Sequence, residues 1–131
     1  MNRIEARIVE VREHEGVSQV TFDADGKELT MIGLELPGGV EPARQVTLGI
    51  KATHLFVSKK PLLDAAVANR LPVIVESVTE GAILVSLKLL FGTTPLECIL
   101  PKSALPADSF KAGDTAVALF QASELSIVEV L

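Results

Sequence analysis

A chain of 131 residues has room for one ordinary domain or two very small ones. Its apolar share is 48% and its net charge is −5, from 12 basic and 17 acidic residues. That composition excludes a disordered chain and disfavours binding driven by a nucleic-acid phosphate backbone. A membrane-spanning helix needs a run of ~18–20 apolar residues. The longest candidate, Ala82 to Phe91, is interrupted by Ser86 and Lys88. Met1 is followed at once by Asn2, Arg3 and Glu5, so no signal-peptide pattern is visible. The single cysteine, Cys98, rules out an intrachain disulfide and a cysteine-based zinc site. A reduced, cytoplasmic protein is expected.

The periodicity predicts strands almost throughout. Ile4 to Glu13 carries Ile4, Ala6 and Ile8 on one face, and the phase then slips to Val9 and Val11, which predicts a bulge or bend. Val17 to Phe22 follows a His14-Glu15-Gly16 turn, and Asp23 to Lys27 is a hairpin loop whose glycine supplies the positive φ. Glu28 to Leu34 is the third strand. Pro37-Gly38-Gly39 and Pro42 mark an irregular connection. Gln45 to Ile50 and His54 to Ser58 are two more strands, kinked around Lys51-Ala52-Thr53. The stretch from Lys59 to Ala68 reads as a linker with room for one helical turn, because Pro61 is incompatible with a central strand.

The strand programme then restarts. Leu71 to Val78, Ile83 to Phe91 and Leu96 to Leu100 are separated by Thr79-Glu80-Gly81 and by a Gly92-Thr93-Thr94-Pro95 turn. Short helical turns are predicted over Pro101 to Pro106 and Ala107 to Phe110, followed by a Lys111-Ala112-Gly113-Asp114 turn. Thr115 to Phe120 and Leu125 to Val130 complete the set around a second kink, Gln121-Ala122-Ser123.

The chain is an internal duplication. Asn2-Arg3-Ile4 recurs as Asn69-Arg70-Leu71, and Ile50-Lys51-Ala52-Thr53 recurs as Phe120-Gln121-Ala122-Ser123. The offset from Lys51 to Gln121 slightly exceeds that from Asn2 to Asn69, which places one longer loop in the second copy. The expected fold is all-β: two small five-stranded Greek-key barrels in tandem, residues 1–60 and 61–131 with the linker in the latter. A barrel of about 60 residues is marginal alone. The copies are therefore expected to share a core, exchange a strand or dimerise.

Little in the sequence supports catalysis. His14 reads as a solvated loop residue, His54 as a rim residue and Cys98 as a small buried hydrophobe. No phosphate-binding glycine loop, nucleophile elbow or metal-ligand spacing is present, so no enzyme, metal cation or cofactor is expected. Tyr and Trp are absent, which leaves no platform for stacking bases. The repeated elements offer donors instead. Asn2, Arg3, Lys51, Thr53 and the backbone around Ala52, with Asn69, Arg70, Ala122 and Ser123 in the second copy, could surround an anion. A site built only of donors suits a fully deprotonated dianion such as molybdate or tungstate; phosphate, partly protonated at neutral pH, would want an acceptor. In the competing reading, Asn2 and Asn69 cap strand starts and Lys51 is a solvated edge charge.

The closing element Val46-Thr47-Leu48-Gly49-Ile50-Lys51-Ala52-Thr53-His54-Leu55, the opening Asn69-Arg70-Leu71-Pro72 and the middle segment Ile99-Leu100-Pro101-Lys102-Ser103 together resemble tandem molybdenum-pterin-binding modules, the TOBE or Mop family. Their order and duplication cover nearly the whole chain. The resemblance implies OB-like barrels that bind molybdate or tungstate, with Lys51, Ala52 and Thr53 matching the family's K-A-[ST] ligands. It also implies a setting: a storage protein, a homodimer, or the C-terminal part of a molybdate importer ATPase or regulator with an ATPase or DNA-binding domain upstream. In such a transporter complex the chain would sit at the membrane without inserting. The sequence departs from the family at Ala66 and Ala68, which stand where it has Ser and Arg, and at Gln121, which stands opposite Lys51. The alternative expectation is a ligand-free regulatory or dimerisation module of another transporter ATPase.

Overall fold

The computed structural model describes all 131 residues, Met1–Leu131. Ten strands form: β1 (Asn2–His14), β2 (Val17–Ala24), β3 (Lys27–Gly33), β4 (Gln45–Ile50), β5 (Phe56–Ser58), β6 (Asn69–Glu80), β7 (Leu84–Phe91), β8 (Thr94–Pro101), β9 (Thr115–Phe120) and β10 (Ser126–Val130). The only helical segments are three single 3-10 turns, at Ala52–His54, Lys102–Ala104 and Ala122–Glu124. No helix is long and apolar enough to cross a membrane.

The strands form two five-stranded sheets, ordered β10-β4-β1-β2-β3 and β5-β9-β6-β7-β8, each an OB-like barrel. The last strand of each repeat belongs to the other repeat's sheet. Phe56 of β5 sits opposite Leu119 of β9, and Ser126 of β10 sits opposite Gly49 of β4, so the exchange is reciprocal. It merges the interiors into a single core cluster of 26 buried residues that runs from Ile4 through Phe22 and Leu48 to Leu87, Phe120 and Leu125. Merging is the physical answer to the small size of each barrel, since a larger shared interior removes a larger fraction of apolar surface from water.

The phase slip in the first strand is a bulge. Ile8 pairs with Phe22 and Glu10 with Thr21, which leaves Val9 as the extra residue. The second copy repeats it at the matching position, with Glu76 between Val75 and Ser77. Beyond each bulge the strand leaves the core face, as the buried-exposed alternation of β1 stops after Ile8.

Three segments depart from the sequence expectation. Residues 59–68 form turns but no helical turn: Leu62 adopts a positive φ of 51°, and the Arg70 guanidinium gathers the carbonyls of Leu62, Ala65 and Val67. Residues 107–110 are also non-helical. Pro106 cannot donate to a helical bond, and Lys59 Nζ holds the Ser109 carbonyl at 2.9 Å. The strand expected over His54 to Ser58 is shortened to Phe56–Ser58, because the chain coils at Ala52–His54 as it crosses between sheets.

The repeats are matched in volume as well as in topology. A side chain added at Gly49 would meet Met1 Sδ and Val128 Cγ2, each 2.6 Å away. The second copy has Leu119 at that position, buried, while Ala68 and Ser58 stand where Met1 and Val128 do. Gly49→Leu is therefore expected to cost about 1–3 kcal/mol through overpacking. Adding Val128→Ser should restore part of it, read as the urea midpoint of the two variants.

Candidate functional site

The topology gathers the residues of the repeated donor pattern at the junction of the two sheets. Asn2 lies opposite Ile50 and Arg3 opposite Gly49, so the start of β1 abuts the turn that opens at Lys51. Asn69 and Arg70 lie opposite Phe120 and Leu119 and abut the turn that opens at Gln121. The two turns meet each other. His54 Nδ1 is 2.7 Å from Glu124 Oε2, joining positions related by the duplication.

The asparagines are the most buried of the set. Asn69, fully inaccessible, accepts a bond from Thr30 N–H at 2.8 Å and donates one to Thr30 C=O at 2.9 Å. Asn2 does the same to Glu97, with both distances 2.8 Å. Thr30 and Glu97 are themselves matching positions of the two copies. Each asparagine thus satisfies the outer edge of the opposite barrel, β3 or β8, where an unpaired strand would otherwise present free backbone groups. This role agrees with neither the anion-donor reading nor the simple strand cap. No side-chain pattern could have revealed it, since the partners are backbone atoms that any residue supplies.

Arg70, grouped with the anion donors by its place in the repeat, spends both terminal nitrogens on the 62–67 linker, and its Nε is buried without a partner. Arg3 points to solvent on the face of β1 opposite Asn2. The remaining residues lie on the two turns. Lys51 precedes its turn in extended conformation (φ −69°, ψ 141°) and is exposed. The turn closes with one bond, His54 N–H to Lys51 C=O at 2.9 Å, so the amides of Ala52 and Thr53 lie ahead of that closure, as at any helical N-terminus. The second turn is built identically, with Glu124 N–H bonded to Gln121 C=O at 3.1 Å and Ala122 buried. Its charge differs. The first turn carries Lys51 and His54; the second carries Gln121 and Glu124. A 140 Å³ cleft between them is lined by Thr53, His54, Phe56, Gln121 and Glu124, and the Glu124 carboxylate makes it unfavourable for an anion.

Two other ionisable groups stand near the junction. Glu97 is held below the ordinary carboxyl range chiefly by the Ser86 hydroxyl, which donates to it at 2.6 Å, against partial desolvation and with help from Lys88 at 3.3 Å. A depressed folded value stabilises the protein above the unfolded pKa, and that contribution disappears as pH falls through the folded value. Ser86→Ala should therefore lower the urea midpoint at pH 7 more than at pH 3. Cys98 is buried with Sγ 3.3 Å from the Leu55 carbonyl, and burial pushes its thiol up to about 11, which makes it a poor nucleophile. No cluster of three or more His, Cys, Asp or Glu side chains could hold a metal ion.

No protein-family model and no curated protein sequence matches the chain. A solved structure does. The crystal structure of the cytoplasmic molybdate-binding protein ModG, in its PEG-grown form with molybdate bound, matches with a TM-score of 0.86. The match covers 96% of this chain and 94% of the ModG chain at 21% identity. The chain has the ModG fold. Most residues differ from ModG, so what is shared is the tandem exchanged-barrel architecture. The match spans both repeats of this chain, including the Lys51-Ala52-Thr53 turn and its Gln121-Ala122-Ser123 counterpart.

Proposed function

We propose that this chain is a non-enzymatic, cytoplasmic binding protein for molybdate or tungstate, and that the first turn holds the anion. The observation that carries the reading is the ModG fold combined with the Lys51-Ala52-Thr53 turn, where a lysine, a hydroxyl and two leading backbone amides are offered side by side. Charge-assisted donors of this kind hold an oxyanion without any proton. Arg3, exposed beside the same strand end, adds positive charge. Asn2, Asn69 and Arg70 would support the site by fixing the sheets and the linker around it. The second turn offers Ala122 N–H and Ser123 but lacks the lysine and adds Glu124, so it is the weaker of the two.

Calorimetric titration with molybdate, tungstate, sulfate and phosphate tests the proposal. Saturable binding of the first two is expected. Lys51→Ala should weaken it at least tenfold, while Gln121→Ala should leave it within a factor of two. Absence of heat with all four anions at high protein concentration would favour a ligand-free interaction module instead.

A further inference from the structure

The longer loop of the second copy lies between β8 and β9, and its effect is local. The segment after β8 coils at Lys102–Ala104, passes through Pro106 and returns Phe110 to the core, 6% exposed. Lys59, at the end of exchanged strand β5, fastens this segment. Its ammonium donates to Ser109 C=O at 2.9 Å, lies 3.1 Å from Asp108 Oδ2 and stands 5.7 Å from the Phe110 ring centre. Position 129, the counterpart of 59, is a glutamate, so the first copy has no such fastening.

Beneath the segment lies a cavity of about 250 Å³. Leu55, Leu87, Cys98, Leu100, Ala104 and Phe110 line it, and Thr53 and Phe56 form part of its wall on the side of the first turn. The duplication supplies an internal control. Strand register places Met31 opposite Val20 in the first copy where Cys98 is opposite Leu87 in the second. Met31 is 5% exposed, and its longer side chain occupies the first barrel; no comparable cavity forms there. The second repeat pairs a shorter side chain, Cys98, with a longer one, Leu87, at the floor, and walls the space with a lengthened, fastened loop that the first repeat lacks. The space is a pocket partly open to solvent, with Leu55, Leu87 and Cys98 buried at its floor and Thr53, Phe56 and Ala104 exposed at its rim.

We propose that this cavity binds a small, uncharged, apolar molecule of about one or two fused rings. The size class follows from volume: an apolar cavity of about 150 Å³ accommodates benzene, and drug-sized ligands take about 300 Å³ or more. The charge class follows from the lining, nine of whose twelve residues are hydrophobic and none of which is charged. A charged ligand would lose its hydration without a partner. The Leu55 carbonyl beside Cys98 Sγ is one polar atom near the floor, and it could accept a bond from an N–H or O–H on the ring. The inference does not depend on oxyanion binding.

Indole is a suitable probe, because the chain contains neither Trp nor Tyr and indole emission reports its own surroundings. Titration of the full chain into indole is expected to give a saturable blue shift with one site per chain. Indole-3-carboxylate should bind at least tenfold more weakly. Cys98→Met, which restores the residue of the first copy, should weaken indole at least tenfold and raise the melting temperature. Ala104→Leu narrows the rim from an exposed position and should also weaken indole at least tenfold; it decides the matter if Cys98→Met fails to fold. A shift that grows linearly without saturating, or one that Ala104→Leu leaves unchanged, would overturn the proposal.

Discussion

Asn69→Ala is expected to cost about 2–5 kcal/mol of folding stability, far more than the loss of an ordinary polar side chain. Asn69 is wholly inaccessible, and its amide forms a closed pair of bonds with both backbone groups of Thr30. Truncation leaves the N–H and C=O of Thr30 without the partners that close the pair, and each unsatisfied buried group costs about 1–3 kcal/mol. The amide lies beside the core, with Phe120 directly opposite Asn69. Asn69→Asp should be nearly as harmful, because a carboxylate at that position accepts from Thr30 N–H but repels Thr30 C=O. Asn2→Ala should cost less. Asn2 is 7% exposed, which lets solvent reach the freed Glu97 groups. Urea denaturation of the three variants, compared at pH 7, gives the order. Equal and small losses at both asparagines would show that β3 and β8 hold their places without these bonds.

Phe120→Ala is expected to cost about 3–5 kcal/mol, the range for removing a buried aromatic from a packed interior. Phe120 is fully buried at the end of β9, where the chain leaves one barrel for the other, and it lies directly opposite Asn69. Its counterpart is Ile50, opposite Asn2. A cavity at Phe120 would open where both sheets contribute to the single core, so neither barrel can collapse onto it without disturbing the other. Native domains hold about 5–15 kcal/mol in all, and the variant is expected to lie close to unfolding at 37 °C. Because Phe120 and Asn69 are cross-strand neighbours, the double variant should cost less than the sum of the singles. Thermal and urea unfolding should also show one transition for the whole chain. Two separable transitions would contradict a core shared through strand exchange.

Elements whose determinants are local were legible in the sequence. Alternation of apolar residues located the strands to within a few positions, and the phase slip at Val9 marked a bulge that the structure shows there and again at Glu76. The segments beside Pro61 and Pro106 lack helical turns for related reasons. Composition left room for helical turns, but Arg70, a few residues along the chain, and Lys59, fifty residues from Ser109, claim carbonyls of those segments. Local propensity is a weak prior against such contacts.

The candidate site divides along the same line. Lys51, Ala52 and Thr53 stand in one short turn, so their association is written in adjacent positions. The roles of Asn2 and Asn69 are not, since each amide addresses backbone of the opposite copy, at Glu97 and Thr30. The contact between His54 and Glu124 was equally hidden, because turns from different copies meet only when β5 and β10 have exchanged sheets.

By itself the sequence determined an aliphatic, acidic, all-β chain made of two copies of one five-stranded unit, with one kinked donor turn in each copy. These properties follow from periodicity, composition and repetition, all of which can be read along the chain without knowing what touches what. Only the tertiary structure decided which strand completes which sheet, which donors remain free, and that an apolar pocket opens beside one barrel and not the other. Those outcomes depend on pairing and on packed volume between residues far apart in the chain, where a methionine and a cysteine at matching positions look alike until the space around them is known.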